Sequence, residues 1–96
     1  MTMVRATVRL CSTSDRVMQG LQRRQPGKGM GQIIVELARK GVVDPYPTAG
    51  ETKLSISIRI PEDDMNLLRQ MASDRRIGLG ELVRRLLRAC IKSGTV

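Results

Sequence analysis

Residues 54–61 read Leu54-Ser55-Ile56-Ser57-Ile58-Arg59-Ile60-Pro61, a strict alternation of apolar and polar residues closed by a proline. Side chains of a β-strand point alternately to opposite faces, so this stretch is predicted to be a strand with one buried and one free face. The buried face would carry Ile56, Ile58 and Ile60. The free face carries Ser55, Ser57 and Arg59, which are hydrogen-bonding groups with no acid among them.

Working outward, Pro61 suits a helix start, and Glu62, Asp63 and Asp64 favour the positive end of a helix dipole in its first turn. Leu67, Leu68, Met71 and Ala72 then mark the expected buried face of that helix. Gly78-Leu79-Gly80 breaks it. A second helix carries Leu79, Leu82, Val83, Leu86, Leu87, Cys90 and Ile91 at offsets 0, 3, 4, 7, 8, 11 and 12, the clearest helical pattern in the chain.

The first half repeats this order. Val4, Ala6, Val8 and Leu10 alternate with Arg5, Thr7 and Arg9. Ser12-Thr13-Ser14-Asp15 offers N-cap candidates, followed by Val17, Met18 and Leu21 at helical spacing. Gln25-Pro26-Gly27-Lys28-Gly29 breaks the helix, and Met30, Ile33, Ile34, Leu37 and Ala38 begin another that Gly41 can end. Measured from Leu10, Val17, Met18 and Leu21 fall at +7, +8 and +11; measured from Ile60, so do Leu67, Leu68 and Met71. Gly29-Met30-Gly31 aligns with Gly78-Leu79-Gly80, with one extra residue in the Pro26-Gly27 turn. Strand–helix–helix is therefore present twice, in residues 4–41 and 53–92. Residues 42–52, with Asp44-Pro45-Tyr46-Pro47 and Gly50, read as a linker.

Composition limits what such a chain can be. Its 96 residues allow one small domain. With one Tyr and neither Phe nor Trp, the core must come from Leu, Ile, Val, Met and Ala, so an intertwined or dimeric fold is expected. The formal charge is +8, and both halves are basic: eight Lys/Arg against three Asp/Glu in residues 1–48, nine against six in residues 49–96. That balance favours a polyanionic partner. No histidine is present, and Cys11 and Cys90 stand far apart, so no zinc spacing or dense disulfide framework is seen. Two reduced thiols of a cytosolic protein, both small core fillers, are the expectation.

The start, with Arg5 and Arg9 inside its apolar stretch, reads as neither a signal peptide nor a membrane span. Gly27-Lys28-Gly29-Met30-Gly31 follows a helix rather than a strand and lacks the Gly-Lys-Ser/Thr ending of a nucleotide loop. Tyr46 alone gives no platform for stacking single-stranded bases. With no nucleophile–base pair to nominate, an enzyme is not expected, nor is a cofactor, a metal or a small-molecule substrate.

The segments Ser55-Ile56-Ser57-Ile58-Arg59-Ile60-Pro61 and Gly78-Leu79-Gly80-Glu81-Leu82-Val83-Arg84-Arg85 resemble the ribbon-helix-helix (MetJ/Arc-like) DNA-binding family. The likeness is good over residues 53–92 and weaker over residues 4–41. Tandem copies in one chain are similar to conjugative-transfer accessory proteins of the TraY type. The resemblance implies a mostly α fold with a short two-stranded antiparallel β-ribbon, in which the repeats form an intramolecular pseudodimer, one intertwined domain over residues 1–96.

By that resemblance the ribbon enters the major groove of double-stranded DNA. Its base readers would be Arg5, Thr7 and Arg9 with Ser55, Ser57 and Arg59. Phosphates would sit at the second-helix starts, on Gly29, Met30 and Gly31 and on Gly78, Leu79 and Gly80. Glycine stands where the family favours Ser, Thr or Asn, so no hydroxyl is available there for phosphate; Lys28, Arg75 and Arg76 would supply charge instead. The implied roles are repressor, or plasmid transfer or partition factor, in the bacterial cytoplasm on nucleoid or plasmid, with a second copy on an adjacent subsite. Two other readings stay open. One is an antitoxin-type homodimer built on residues 53–92, whose N-terminal half binds a protein partner. The other is a purely structural helical interaction module.

Overall fold

The computed structural model describes residues 2–48 and 54–92. Six elements follow in chain order: β1 (Met3–Leu10), α1 (Ser12–Arg24), α2 (Met30–Lys40), β2 (Leu54–Pro61), α3 (Glu62–Asp74) and α4 (Leu79–Lys92). The two strands form one antiparallel ribbon. Its register runs from Met3 opposite Pro61, through Thr7 opposite Ser57, to Leu10 opposite Leu54. Each strand thus finds its partner in the other half of the same chain.

Alternation decides which way the ribbon faces. Val8, Leu10, Ile58 and Ile60 are buried almost completely, with Val4, Ala6 and Ile56 packed beside them. Fully burying a Leu or Ile side chain is worth about 1.5–3 kcal/mol, so these four residues hold the ribbon onto the helices. Below them Met18, Ile33, Ile34, Met65, Leu68, Leu82, Leu86 and Leu87 complete one core, and all four helices contribute to it. The halves cross as they pack: α2 lies on β2 and α4 on β1. A backbone bond from the Glu62 amide to the Thr2 carbonyl (2.9 Å) ties the start of α3 to the entry of β1.

Several boundaries follow from local chemistry. Gly41 ends α2 at φ 73°, a left-handed conformation that favours glycine. Pro61 closes β2 and caps α3, with the three acids in its first turn. At α1 the cap lies earlier than Ser12–Asp15 suggested: Cys11 is the N-cap, and Ser14 closes a capping box with it, its hydroxyl accepting the Cys11 amide at 2.9 Å. Cys11 therefore works at the corner between strand and helix, half-buried, instead of filling the core; Cys90 is buried as expected.

The repeat misplaces one residue of α3. Leu67 is 36% exposed, and the buried stripe is Met65, Leu68 and Ala72. Met65 occupies the place of Asp15 in α1, so the apolar face of α3 is turned by one residue relative to that of α1.

Part of the segment expected as a linker is anchored to the fold, although Val42, Pro45, Tyr46 and Pro47 are exposed. Residues 42–48 form a strap along α4, and the Asp44 side chain is fully buried. The remainder of that linker, residues 49–52, lies outside the described residues, as does residue 53 at the expected start of the second repeat.

Candidate nucleic-acid interface

The free face of the ribbon presents Arg5, Thr7 and Arg9 from β1 beside Ser55, Ser57 and Arg59 from β2, all exposed. Register sets their neighbours: Arg5 faces Arg59, Thr7 faces Ser57, and Arg9 faces Ser55. Residues directly opposite on paired strands have Cβ atoms roughly 5 Å apart, and like charges so placed repel. Among the described residues no acidic side chain pairs with the guanidinium of Arg5, Arg9 or Arg59. The face therefore carries uncompensated positive charge flanked by hydroxyls that can donate or accept.

The strand offset of 50 residues puts Ser57 in the place of Thr7, so the register is centred on the Thr7–Ser57 pair. The two ends of the ribbon then differ. One holds Arg5 and Arg59 together; the other holds Arg9 and Ser55.

The starts of α2 and α4 flank the ribbon. Gly29 and Gly78 precede the first helical residues, and their carbonyls take the amides of Ile33 (3.1 Å) and Leu82 (3.0 Å). The amides of Met30, Gly31, Leu79 and Gly80 fall in the first turns, where a helix lacks internal acceptors. Gly31 has a packing duty as well. A Cβ there would stand 2.7 Å from Ile60 Cγ2 and 3.2 Å from the Arg59 carbonyl, so α2 approaches β2 as closely as only glycine permits. Gly80 is the counterpart on β1, with a hypothetical Cβ 3.2 Å from Arg84 Nη1 and 3.7 Å from the Arg9 amide nitrogen.

The charges expected before these turns are placed unequally. Lys28 is paired with Glu36 at 2.6 Å, which offsets its charge locally. Arg75 and Arg76 are exposed; Arg75 Nη1 donates to the Met71 carbonyl (3.2 Å), and Arg76 adopts φ 57° at the end of α3.

The strap brings together side chains that the sequence pattern gave no reason to group. Glu81 accepts the Thr48 amide (2.7 Å) and hydroxyl (2.6 Å), Arg84 Nη2 (2.9 Å) and Arg85 Nε (3.1 Å). Burial alone would raise the Glu81 carboxyl; the bonds from Thr48, Arg85 and Arg84 outweigh it and hold the group at about 2. Arg88 Nε donates to the buried Asp44 carboxylate (2.8 Å), and its other nitrogens donate to the Pro47 (3.0 Å) and Tyr46 carbonyls. Arg84 reaches the ribbon itself, with Nη1 donating to the Arg9 carbonyl at 2.6 Å. The run Glu81, Arg84, Arg85, Arg88 at offsets 0, 3, 4 and 7 was the available signal, since it sets one charged stripe along α4.

Among the described residues no helix is long and apolar enough to cross a membrane, and no three His, Cys, Asp or Glu residues cluster as metal ligands would. No curated protein and no solved structure matches the chain. Residues 55–92, from the second residue of β2 to the end of α4, match the model of the ribbon-helix-helix proteins of the copG family, which supports a place for that segment in the ribbon-helix-helix family.

Proposed function

We propose that the protein binds double-stranded DNA sequence-specifically, as a single-chain pseudodimer whose β1–β2 ribbon lies in the major groove. It acts as a repressor or as an accessory factor in plasmid transfer or partition, and catalyses no reaction. The observation that carries this reading is the ribbon face: three arginines and three hydroxyls in register, with no acid among the described residues pairing the arginines. A two-stranded ribbon fits a groove about 12 Å wide, where each base pair shows a distinct pattern of donors and acceptors. Arginine grips guanine at two atoms, and the hydroxyls adapt to either polarity. Flanking amides at the starts of α2 and α4, with Arg75 and Arg76, supply sites for phosphate.

Intrachain pairing of β1 with β2 supports the single-chain reading over a separate N-terminal arm. Because the ribbon ends differ, the preferred subsite is asymmetric. A second copy on a neighbouring subsite would extend the footprint.

Selection from random duplexes, followed by anisotropy titration at fixed salt, tests the proposal. The selected site should be asymmetric, and richer in guanine at the end met by Arg5 and Arg59. Arg59→Ala should weaken binding to it by ~1–3 kcal/mol for each guanine no longer gripped at two atoms, and relax the preference at that position. Equal affinity for selected and scrambled duplexes would refute sequence-specific reading.

A further inference from the structure

Arg9 and Arg59 hold corresponding places in the ribbon, one on each side of the Thr7–Ser57 pair, yet their main chains are supported in different ways. The offset of 50 residues between the strands matches the Arg9 carbonyl with that of Arg59. The offset of 49 between α2 and α4 matches Gly31 with Gly80 and Val35 with Arg84. At Arg59 the helix meets the strand directly. A Cβ on Gly31 would stand 3.2 Å from the Arg59 carbonyl, and Val35 has no side-chain donor to offer it. At Arg9 a guanidinium is inserted instead, with Arg84 Nη1 donating to the Arg9 carbonyl at 2.6 Å. A Cβ on Gly80 would lie 3.2 Å from that same nitrogen, so glycine there leaves the Arg84 side chain its path from α4 to the ribbon.

The three nitrogens of Arg84 reach three different segments. Nη1 holds β1, Nη2 donates to Glu81 on its own helix (2.9 Å), and Nε donates to the Thr48 hydroxyl of the strap (3.0 Å). Thr48 donates its amide and its hydroxyl to the two oxygens of the same Glu81 carboxylate, at 2.7 and 2.6 Å. A guanidinium is planar and donates along fixed directions, so two nitrogens held by the strap and α4 aim the third at the ribbon.

We propose that Arg84 is a positioning residue for Arg9, and that through it the strap governs how sharply one end of the ribbon reads DNA. The proposal rests on the ribbon being the DNA-reading face. A bond at the carbonyl fixes the Arg9–Leu10 peptide plane, and with it the direction in which the Arg9 side chain leaves the strand. A binding group has to be held within about 0.5 Å and 10–20° of its working pose, and a side chain as long as arginine magnifies any tilt of its own main chain. Arg59 has no such dependence, because its support is the backbone of α2. The linker between the repeats is thereby a working part of the reader at the Arg9 end alone.

The test uses the full chain and the duplex that the wild type selects. Arg9→Ala and Arg59→Ala first mark the base pair that each arginine reads. Arg84→Lys keeps the charge but offers one nitrogen in place of three. It should reduce the preference at the Arg9 base pair by at least about fivefold, the lower end of what a two-atom guanine contact is worth, and leave the Arg59 base pair unchanged. Thr48→Val, remote from the ribbon and mild enough to guard against a folding defect, should cause a loss of about threefold at the same base pair alone. The salt dependence of binding should stay the same in both variants, because the charge does. In the DNA-free chain, the carbon-13 resonance of the Arg9 carbonyl should move in both variants and that of the Arg59 carbonyl in neither.

Equal losses at both ends, or no loss at the Arg9 end, overturn the positioning role. An Arg9 carbonyl resonance unmoved by Arg84→Lys overturns the strut itself. A wild type without base preference refutes the DNA reading, and the positioning role falls with it, while the carbonyl resonances still report whether the strut exists.

Discussion

Glu81 joins three parts of the molecule that are distant in sequence: the strap through Thr48, its own helix through Arg84 and Arg85, and the ribbon through Arg84 and the Arg9 carbonyl. Its carboxyl has an ordinary value of 4.5 and is held at about 2 in the fold. A carboxyl depressed in this way contributes stability above its unfolded value and loses it as the pH falls toward the folded one. Stability should therefore decline between about pH 4.5 and 2 in part because of this residue. Glu81→Gln should be less stable at neutral pH and show a shallower decline across that window in urea titrations. Parallel profiles for the two proteins would contradict the assignment. The helical spacing groups Glu81 with Arg84, Arg85 and Arg88 but does not announce its bond to the strap, because a glutamate near a helix start has an ordinary reason to be there. Its partner Thr48 lies 33 residues away, at the end of a Pro-containing stretch that has the composition of a free linker.

At the scale of elements, period-two alternation made both strands legible, and the apolar spacing did the same for α2 and α4. These patterns are strong because each element has one face in the core and one outside. The α3 stripe was less legible. Copying offsets from α1 assigns Leu67 to the core, whereas Met65 fills it and rotates the helix face. Glycines in the helix-start turns were legible as turn residues, but their second use was not. Gly31 is the point where α2 meets the ribbon, with the Arg59 carbonyl 3.2 Å from the place a Cβ would take. Gly31→Ala should overpack this contact and cost ~1–3 kcal/mol, measured by chemical denaturation. If DNA reading depends on the pose of Arg59, the same variant should also weaken binding. A fully stable Gly31→Ala would show that α2 can shift without cost.

At the scale of the whole molecule, a single core is closed within one chain, with β1 and β2 capping four helices. The residues that a symmetric pair of chains would use to seal a shared core are already in contact here. Sedimentation at micromolar concentration and below should therefore give the mass of one chain, 10.7 kDa, with native helicity retained. A stable mass of two chains, or unfolding on dilution, would show that the fold needs a second copy. The tandem order was legible in the repeated spacing, but spacing is the same whether the strands pair within one chain or between two.

The ribbon register also has a consequence for how the protein is made. Leu10 pairs with Leu54 and Met3 with Pro61, so the pairings of β1 with β2 span 44 to 58 residues. During synthesis the first strand emerges with its apolar face uncovered and has no partner until the second strand has left the ribosome. Closing loops of that length before any pairing energy is gained slows folding relative to helical bundles with local contacts. In the nascent chain α1 and α2 emerge before β2, so the exposed face of the ribbon is assembled only once Pro61 has been made.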